Sequence, residues 1–130
     1  MHEHPNAALV RKSYHAFNKA DIEAIRDVLA DDVVWHEPGR SVLAGDYKGR
    51  DAVLRLLARF HDLSGGTFAI ELLDLLVDPE RVTAFQRLTG RRGEMTLDTV
   101  DVVDFEIHHG RATEVTVYQS DTYGFDEFWA

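Results

Sequence analysis

Apolar residues recur at helical spacing in the first half of the chain and alternate with polar ones in the second. Leu9, Val10, Tyr14 and Phe17 fall on one face of a helix. That spacing predicts a first helix of about a dozen residues after Pro5, with Asn6 as its cap. Asn18 to Asp21 breaks the pattern. Asp21 is placed to cap a second helix whose buried face carries Ile22, Ile25, Val28 and Leu29. Val33 to Trp35 reads as a short strand, stopped by Pro38-Gly39. A third helix begins near Asp51, after Gly49, with Val53, Leu54, Leu56, Leu57 and Phe60 on its apolar side. Gly65-Gly66 ends that region.

Four strands are expected next, over Phe68–Val77, Arg81–Thr89, Glu94–Ile107 and Arg111–Gln119. Asp78-Pro79-Glu80 and Gly90 to Gly93 read as turns, and His108-His109-Gly110 as a three-residue hairpin loop. Helices first and an antiparallel meander afterwards give an α+β fold. No linker or repeat interrupts residues 1–130, which read as a single domain.

Residues two apart on a strand share a face, so the third long strand can be sorted. Met95, Leu97, Thr99, Asp101, Val103, Phe105 and Ile107 form the core side. Asp101 is the anomaly in that row. A buried carboxylate is paired, protonated or open to a solvated cavity, because burying it unpaired costs several kcal/mol. A hairpin centred on Arg91-Arg92 sets Val82 opposite Asp101, and the next hairpin sets Val117 opposite it. Small and β-branched neighbours then leave room above the carboxyl. A satisfied buried hydrogen bond is the structural alternative. The same register sends Tyr118 and Arg87 to the other face.

Trp35-His36-Glu37-Pro38 is the second concentration of chemistry. It sets an aromatic wall, an imidazole and a carboxylate at a strand end. Histidine titrates near neutrality, and glutamate serves as a base when desolvated. Strict alternation puts Trp35 and Glu37 on one face and His36 on the other. The plainer reading leaves His36 and Glu37 solvated. His2 and His4 stand on a terminus, and His108 and His109 are adjacent on a turn, so neither pair marks a metal site. Phe125, Phe128 and Trp129 make an aromatic tail that either packs back on the domain or covers a pocket.

Charge and composition narrow the partners. Fourteen Lys and Arg against 23 Asp and Glu give a net charge of −9. Such a surface repels phosphate backbones and anionic lipid, so neither nucleic acid nor membrane is expected as a partner. The absence of Cys removes disulfides and thiolate chemistry. No phosphate loop, dinucleotide fingerprint or nucleophile elbow appears. With no apolar leader in its first 30 residues, the chain is expected to be cytoplasmic.

The element order resembles a superfamily that contains nuclear transport factor 2, ketosteroid isomerase and the SnoaL-like polyketide cyclases. The markers are Phe17-Asn18-Lys19-Ala20-Asp21, Leu29 to Trp35 and Gly45-Asp46-Tyr47-Lys48-Gly49-Arg50. The resemblance implies a cone in which three N-terminal helices pack on a curved, mainly antiparallel sheet. Laid over Asn18 to Pro38 without gaps, the isomerase pattern sets its general base at Glu37. It sets the oxyanion tyrosine at Ser13, one residue from Tyr14. Asp101 is the nearest counterpart of the second oxyanion donor. In ketosteroid isomerase that donor is a carboxylic acid held neutral by its apolar site.

These readings imply an enzyme that moves a proton on a small apolar carbonyl compound without metal or cofactor. Glu37 or His36 is the expected base and Asp101 the hydrogen-bond donor. Tyr14, Phe17, Trp35 and Phe105 are the expected walls. The rival is a non-catalytic ligand-binding or dimerisation module. A homodimer is expected through the sheet face that carries Thr96, Val100, Val102, Glu106, Thr116 and Tyr118, whose mixed polarity suits a subunit interface.

Overall fold

The computed structural model describes residues 3–130, so His2 lies outside the described residues. Helices and strands follow the order α1 (Pro5–Asn18), a 3₁₀ helix (Ile22–Val28), β1 (Leu29–Glu37), β2 (Gly45–Lys48), α2 (Arg50–Leu63), β3 (Ala69–Val77), β4 (Arg81–Arg92), β5 (Met95–His108), β6 (Arg111–Gln119) and α3 (Thr122–Phe128). The strands form one six-stranded sheet in the order β2-β1-β6-β5-β4-β3. Every neighbouring pair is antiparallel except β1 and β6, which run parallel. This is the α+β arrangement expected, with helices packed on a mostly antiparallel sheet.

Three local expectations change. His4, not Asn6, caps α1: its ring Nδ1 accepts the Asn6 backbone N–H at 3.1 Å. The Asn6 amide instead donates to the Pro79 carbonyl and ties α1 to the β3–β4 turn. The second helix is 3₁₀ rather than α. Ile22, Ile25 and Val28 recur every three residues, and that period matches the three-residue turn of a 3₁₀ helix. The first strand runs from Leu29 to Glu37, well beyond Val33–Trp35, and gains a four-residue partner, β2, too short to show alternation.

Both meander registers differ from expectation by an even number of residues, so every face is kept while the partners change. The β4–β5 turn is the two-residue Gly93-Glu94, closed by Arg92 opposite Met95. Gly93 adopts φ +60°, as the first central position of a tight hairpin requires. Asp101 therefore stands opposite Gln86, not Val82. The β5–β6 turn is also two residues long, His109-Gly110, both at positive φ. Losing one loop residue would have turned every side chain of β6 to the wrong face. A bulge after Ile107–Ala112 restores the parity and sets Gln119, not Val117, opposite Asp101.

One core fills the concave side of the sheet. Val10, Tyr14 and Phe17 of α1, Val53, Leu56 and Phe60 of α2, and Val103, Phe105 and Val115 of the sheet are all buried there. Each such aliphatic or aromatic side chain contributes about 1.5–3 kcal/mol through burial. The aromatic tail packs back on the domain. Trp129 is 1% exposed and stands edge-on to Phe60 and Phe68. The Asp126 carboxylate accepts the backbone N–H groups of Arg40 and Ser41, which anchors α3 to the loop after β1. Gly39 (φ +99°) passes so close to Asp126 that a Cβ there would run into its carboxylate. No helix among the described residues is long and apolar enough to cross a membrane.

Candidate active site

Between α1, the 3₁₀ helix, α2 and the concave face of the sheet lies a cavity of about 80 Å³. Six of the residues expected at the site line it: Tyr14, Phe17, Trp35, Glu37, Asp101 and Phe105. Phe125 of α3 also lines it, whereas Phe128 and Trp129 do not.

The polar groups form a row across four neighbouring strands. Gln86 on β4 and Asp101 on β5 are register partners, as are Asp101 and Gln119 on β6. Gln119 Nε2 then reaches Glu37 Oε2 at 3.4 Å, at the end of β1. Hydrogen bonds close both ends of the row. The Tyr14 O–H donates to Gln86 Oε1 at 2.6 Å, and the Trp35 indole N–H donates to Glu37 Oε1 at 3.0 Å. Trp35 and Glu37, two residues apart on one strand, share the inner face.

Glu37 and Asp101 are 6% and 1% exposed. Among the described residues neither oxygen of Asp101 has a hydrogen-bond partner, and neither does Oε1 of Gln119. Burial dominates the acidity of both acids. It pushes Glu37 up to about 8, opposed by the Trp35 N–H and reinforced by the charge of Asp101. It pushes Asp101 up to about 6, opposed by the nearby Ser120 backbone N–H, which does not meet hydrogen-bond geometry. The Asp101 charge acts on Glu37, and such coupling is reciprocal, so the two steps belong to the pair, which keeps one proton near neutrality. Burial favours that proton on Glu37, whereas the hydrogen bonds that Glu37 accepts from Trp35 and Gln119 favour it on Asp101. Burial also raises the Tyr14 phenol, with the Asp101 charge adding to it. Tyr14 is therefore a neutral donor.

His36 is not part of this site. It projects from the opposite face of β1, where Nδ1 meets Asp46 Oδ1 and Nε2 meets Glu114 Oε2, each at 2.7 Å. Alternation along β1 holds through Glu37, so an imidazole between Trp35 and Glu37 has to point outward. Asp46 first, then Glu114, holds the His36 pKa above its ordinary value. Among the described residues no group of three or more His, Asp or Glu is arranged to hold a metal ion.

Gln86 and Gln119 are the site residues missed in the sequence. A two-residue turn at Gly93-Glu94 puts Gln86 opposite Asp101, and Gln119 continues the inward row of Val115 and Val117. Ser13, where the gapless pattern set the tyrosine, lines the cavity beside Tyr14, but its hydroxyl is used on the Leu9 carbonyl.

The fold is that of the nuclear transport factor 2-like superfamily, with a cavity enclosed between its helices and its sheet. The SnoaL-like domain model matches residues 10–115, and the chain belongs to that family. An uncharacterized protein of Mycobacterium tuberculosis is 30% identical over 123 residues, 94% of each chain. Among solved structures, Bal32a from a soil-derived mobile gene cassette superposes with a TM-score of 0.93 at 38% identity, over 97% of each chain. TerC, co-crystallized with polyporic acid, superposes with a TM-score of 0.85 at 25% identity, over 96% of this chain and 98% of that one.

Proposed function

We propose that the protein is an isomerase- or cyclase-type enzyme that moves a proton on a small, mostly apolar carbonyl compound, with no cofactor. The observation that supports this reading is the convergence of two buried carboxyls, Glu37 and Asp101, on one apolar cavity. With one proton between them the pair is base and acid at once. The charged carboxyl takes a proton from the carbon beside the carbonyl, so a C–H bond breaks and an O–H bond forms. The protonated carboxyl hydrogen-bonds to the carbonyl oxygen, where negative charge develops. The enolate then takes that proton back from the carboxyl at another carbon, or its carbon attacks a second carbonyl of the same molecule. In the attack the C–C bond forms as the C=O π bond breaks, and the new alkoxide takes the carboxyl's proton. Phe17, Trp35 and Phe105 bind the apolar body and exclude water, and Tyr14 fixes the end of the polar row. The crystallization of TerC with polyporic acid supports a small organic molecule as occupant.

The nearly all-apolar lining also favours a second reading, a binding module that holds a ligand without chemistry. A ligand titration followed by Trp35 fluorescence separates the two, because Trp35 lines the cavity. Saturable quenching by an apolar cyclic ketone, with turnover that Glu37→Gln abolishes, is the expected result. Quenching without turnover supports the module, and no binding of any apolar carbonyl compound contradicts both.

A further inference from the structure

We propose that Gln119 is the positioning residue that lets Glu37 and Asp101 share a single proton, its amide turning end for end to face whichever carboxyl carries the charge. This deepens the acid–base reading above and rests on it. Three buried oxygens at the site lack any partner: both of Asp101 and Oε1 of Gln119. All three are acceptors when Asp101 is ionised, so no rotation of the amide alone can satisfy them. One proton changes the count. With the proton on Asp101, its O–H has Gln119 Oε1 to donate to, while Gln119 Nε2 faces the Glu37 carboxylate, as it does now at 3.4 Å. Turned about its last torsion, the amide accepts from a protonated Glu37 and donates to an ionised Asp101. Both arrangements use the same two neighbours, the register partner on β5 and the acid on β1. With no proton the amide oxygen faces only acceptors, and with two the amide N–H donates to a neutral carboxyl and loses the charge-assisted bond.

The other ionisable side chains that face the pair are the phenols of Tyr14 on α1 and Tyr47 on β2. Burial raises both, so they stay protonated while the carboxyls titrate. Arg59 on α2 acts on Tyr47, and His36 points away from the cavity.

The test is a carbon-13 NMR titration of carboxyl-labelled protein, which needs no substrate. In the native protein each of the two carboxyl signals is expected to move in both steps, since the proton is divided between them. The bridge favours the singly protonated pair, so it lowers the first step and raises the second. In Gln119→Met the two steps should therefore approach each other by about one pH unit, a tenfold change in the ratio of the two equilibrium constants. Gln119→Asn, which keeps an amide too short to span the gap, should behave as Gln119→Met does and serves if the latter fails to fold. The proposal is overturned if each native carboxyl moves in its own step alone. It is equally overturned if the substitutions shift Glu37 only or change nothing. An inactive protein with divided titration would contradict the turnover reading but not this one. An active protein without divided titration would do the reverse.

Discussion

Asp101 and Gln119 stand opposite each other across β5 and β6, and the three oxygens of their side chains are buried without a hydrogen-bond partner. An arrangement that leaves acceptors unsatisfied in a core does not serve stability. Each such group costs about 1–3 kcal/mol. Asp101 lines the cavity, and the proton transfer proposed above gives its orphaned oxygens a use.

The first prediction follows from the sign of the shift at Asp101. Its folded value is raised to about 6, above the ordinary value near 4. The folded state therefore binds more protons than the unfolded state between those values, and stability falls as pH climbs through that window. Asp101→Asn cannot ionise and should lose that part of the slope. At pH 8 it is expected to be as stable as the native protein or more so, by on the order of 2 kcal/mol. The slope that continues towards about 8 is the second step of the pair, raised by the burial of Glu37. Urea unfolding at pH 5 and pH 8 checks this. A loss of several kcal/mol at pH 8 would make Asp101 a structural anchor.

Tyr14 and Gln86 give a prediction about packing. Tyr14→Phe removes the hydroxyl that Gln86 Oε1 accepts from and leaves that oxygen buried. The expected loss is about 1–3 kcal/mol. Replacing both residues, Tyr14→Phe with Gln86→Leu, should cost less than the sum of the two single changes. Additive losses in the double-mutant cycle would mean that the bond carries no coupling.

His36 should affect stability and not chemistry. Its raised pKa means that protonated His36 stabilises the fold fully below the unfolded histidine value near 6.5, an effect lost as pH rises through the higher folded value. Because the ring is partly exposed, the contribution is modest. His36→Asn should lower the thermal midpoint at pH 5.5 more than at pH 9 and leave turnover unchanged. A loss of turnover would return His36 to the site.

The outer sheet face presents Val100 and Tyr118, 44% and 57% exposed. We expect this face to form a homodimer. Light scattering at micromolar concentration should give twice the 14.8 kDa chain mass, and Tyr118→Asp should shift it towards one chain. A native protein that runs as a single chain removes the expectation.

Much of this was legible in the sequence because strand periodicity depends on parity alone. The inward row from Leu97 to Ile107 and the outward turns of Arg87, Tyr118 and His36 needed no register. Register decided the rest. Moving the β4–β5 turn from Arg91-Arg92 to Gly93-Glu94 replaced Val82 by Gln86 opposite Asp101, which turned an apolar surrounding into a polar row. The bulge in β6 left no mark in the sequence, because its cause is the shortened turn at His109-Gly110. The four residues of β2 carry too little pattern to show a strand. The convergence of Glu37 on Asp101 depends on the parallel pairing of β1 with β6, a contact between segments far apart in the chain that local periodicity does not encode.

Hydrogen–deuterium exchange tests the central claim most directly, because it detects proton abstraction without knowledge of the product. Apolar enolisable ketones are incubated with the protein in D₂O, and loss of the signal of the protons beside the carbonyl is followed by proton NMR. The native protein should accelerate exchange of at least one such ketone over buffer. Glu37→Gln and Asp101→Asn should each lose about 10²–10⁴-fold of that rate, the usual contribution of a positioned acid or base. His36→Asn should retain it. Exchange at the buffer rate for every ketone that binds, or exchange that survives in both carboxyl variants, would contradict the account.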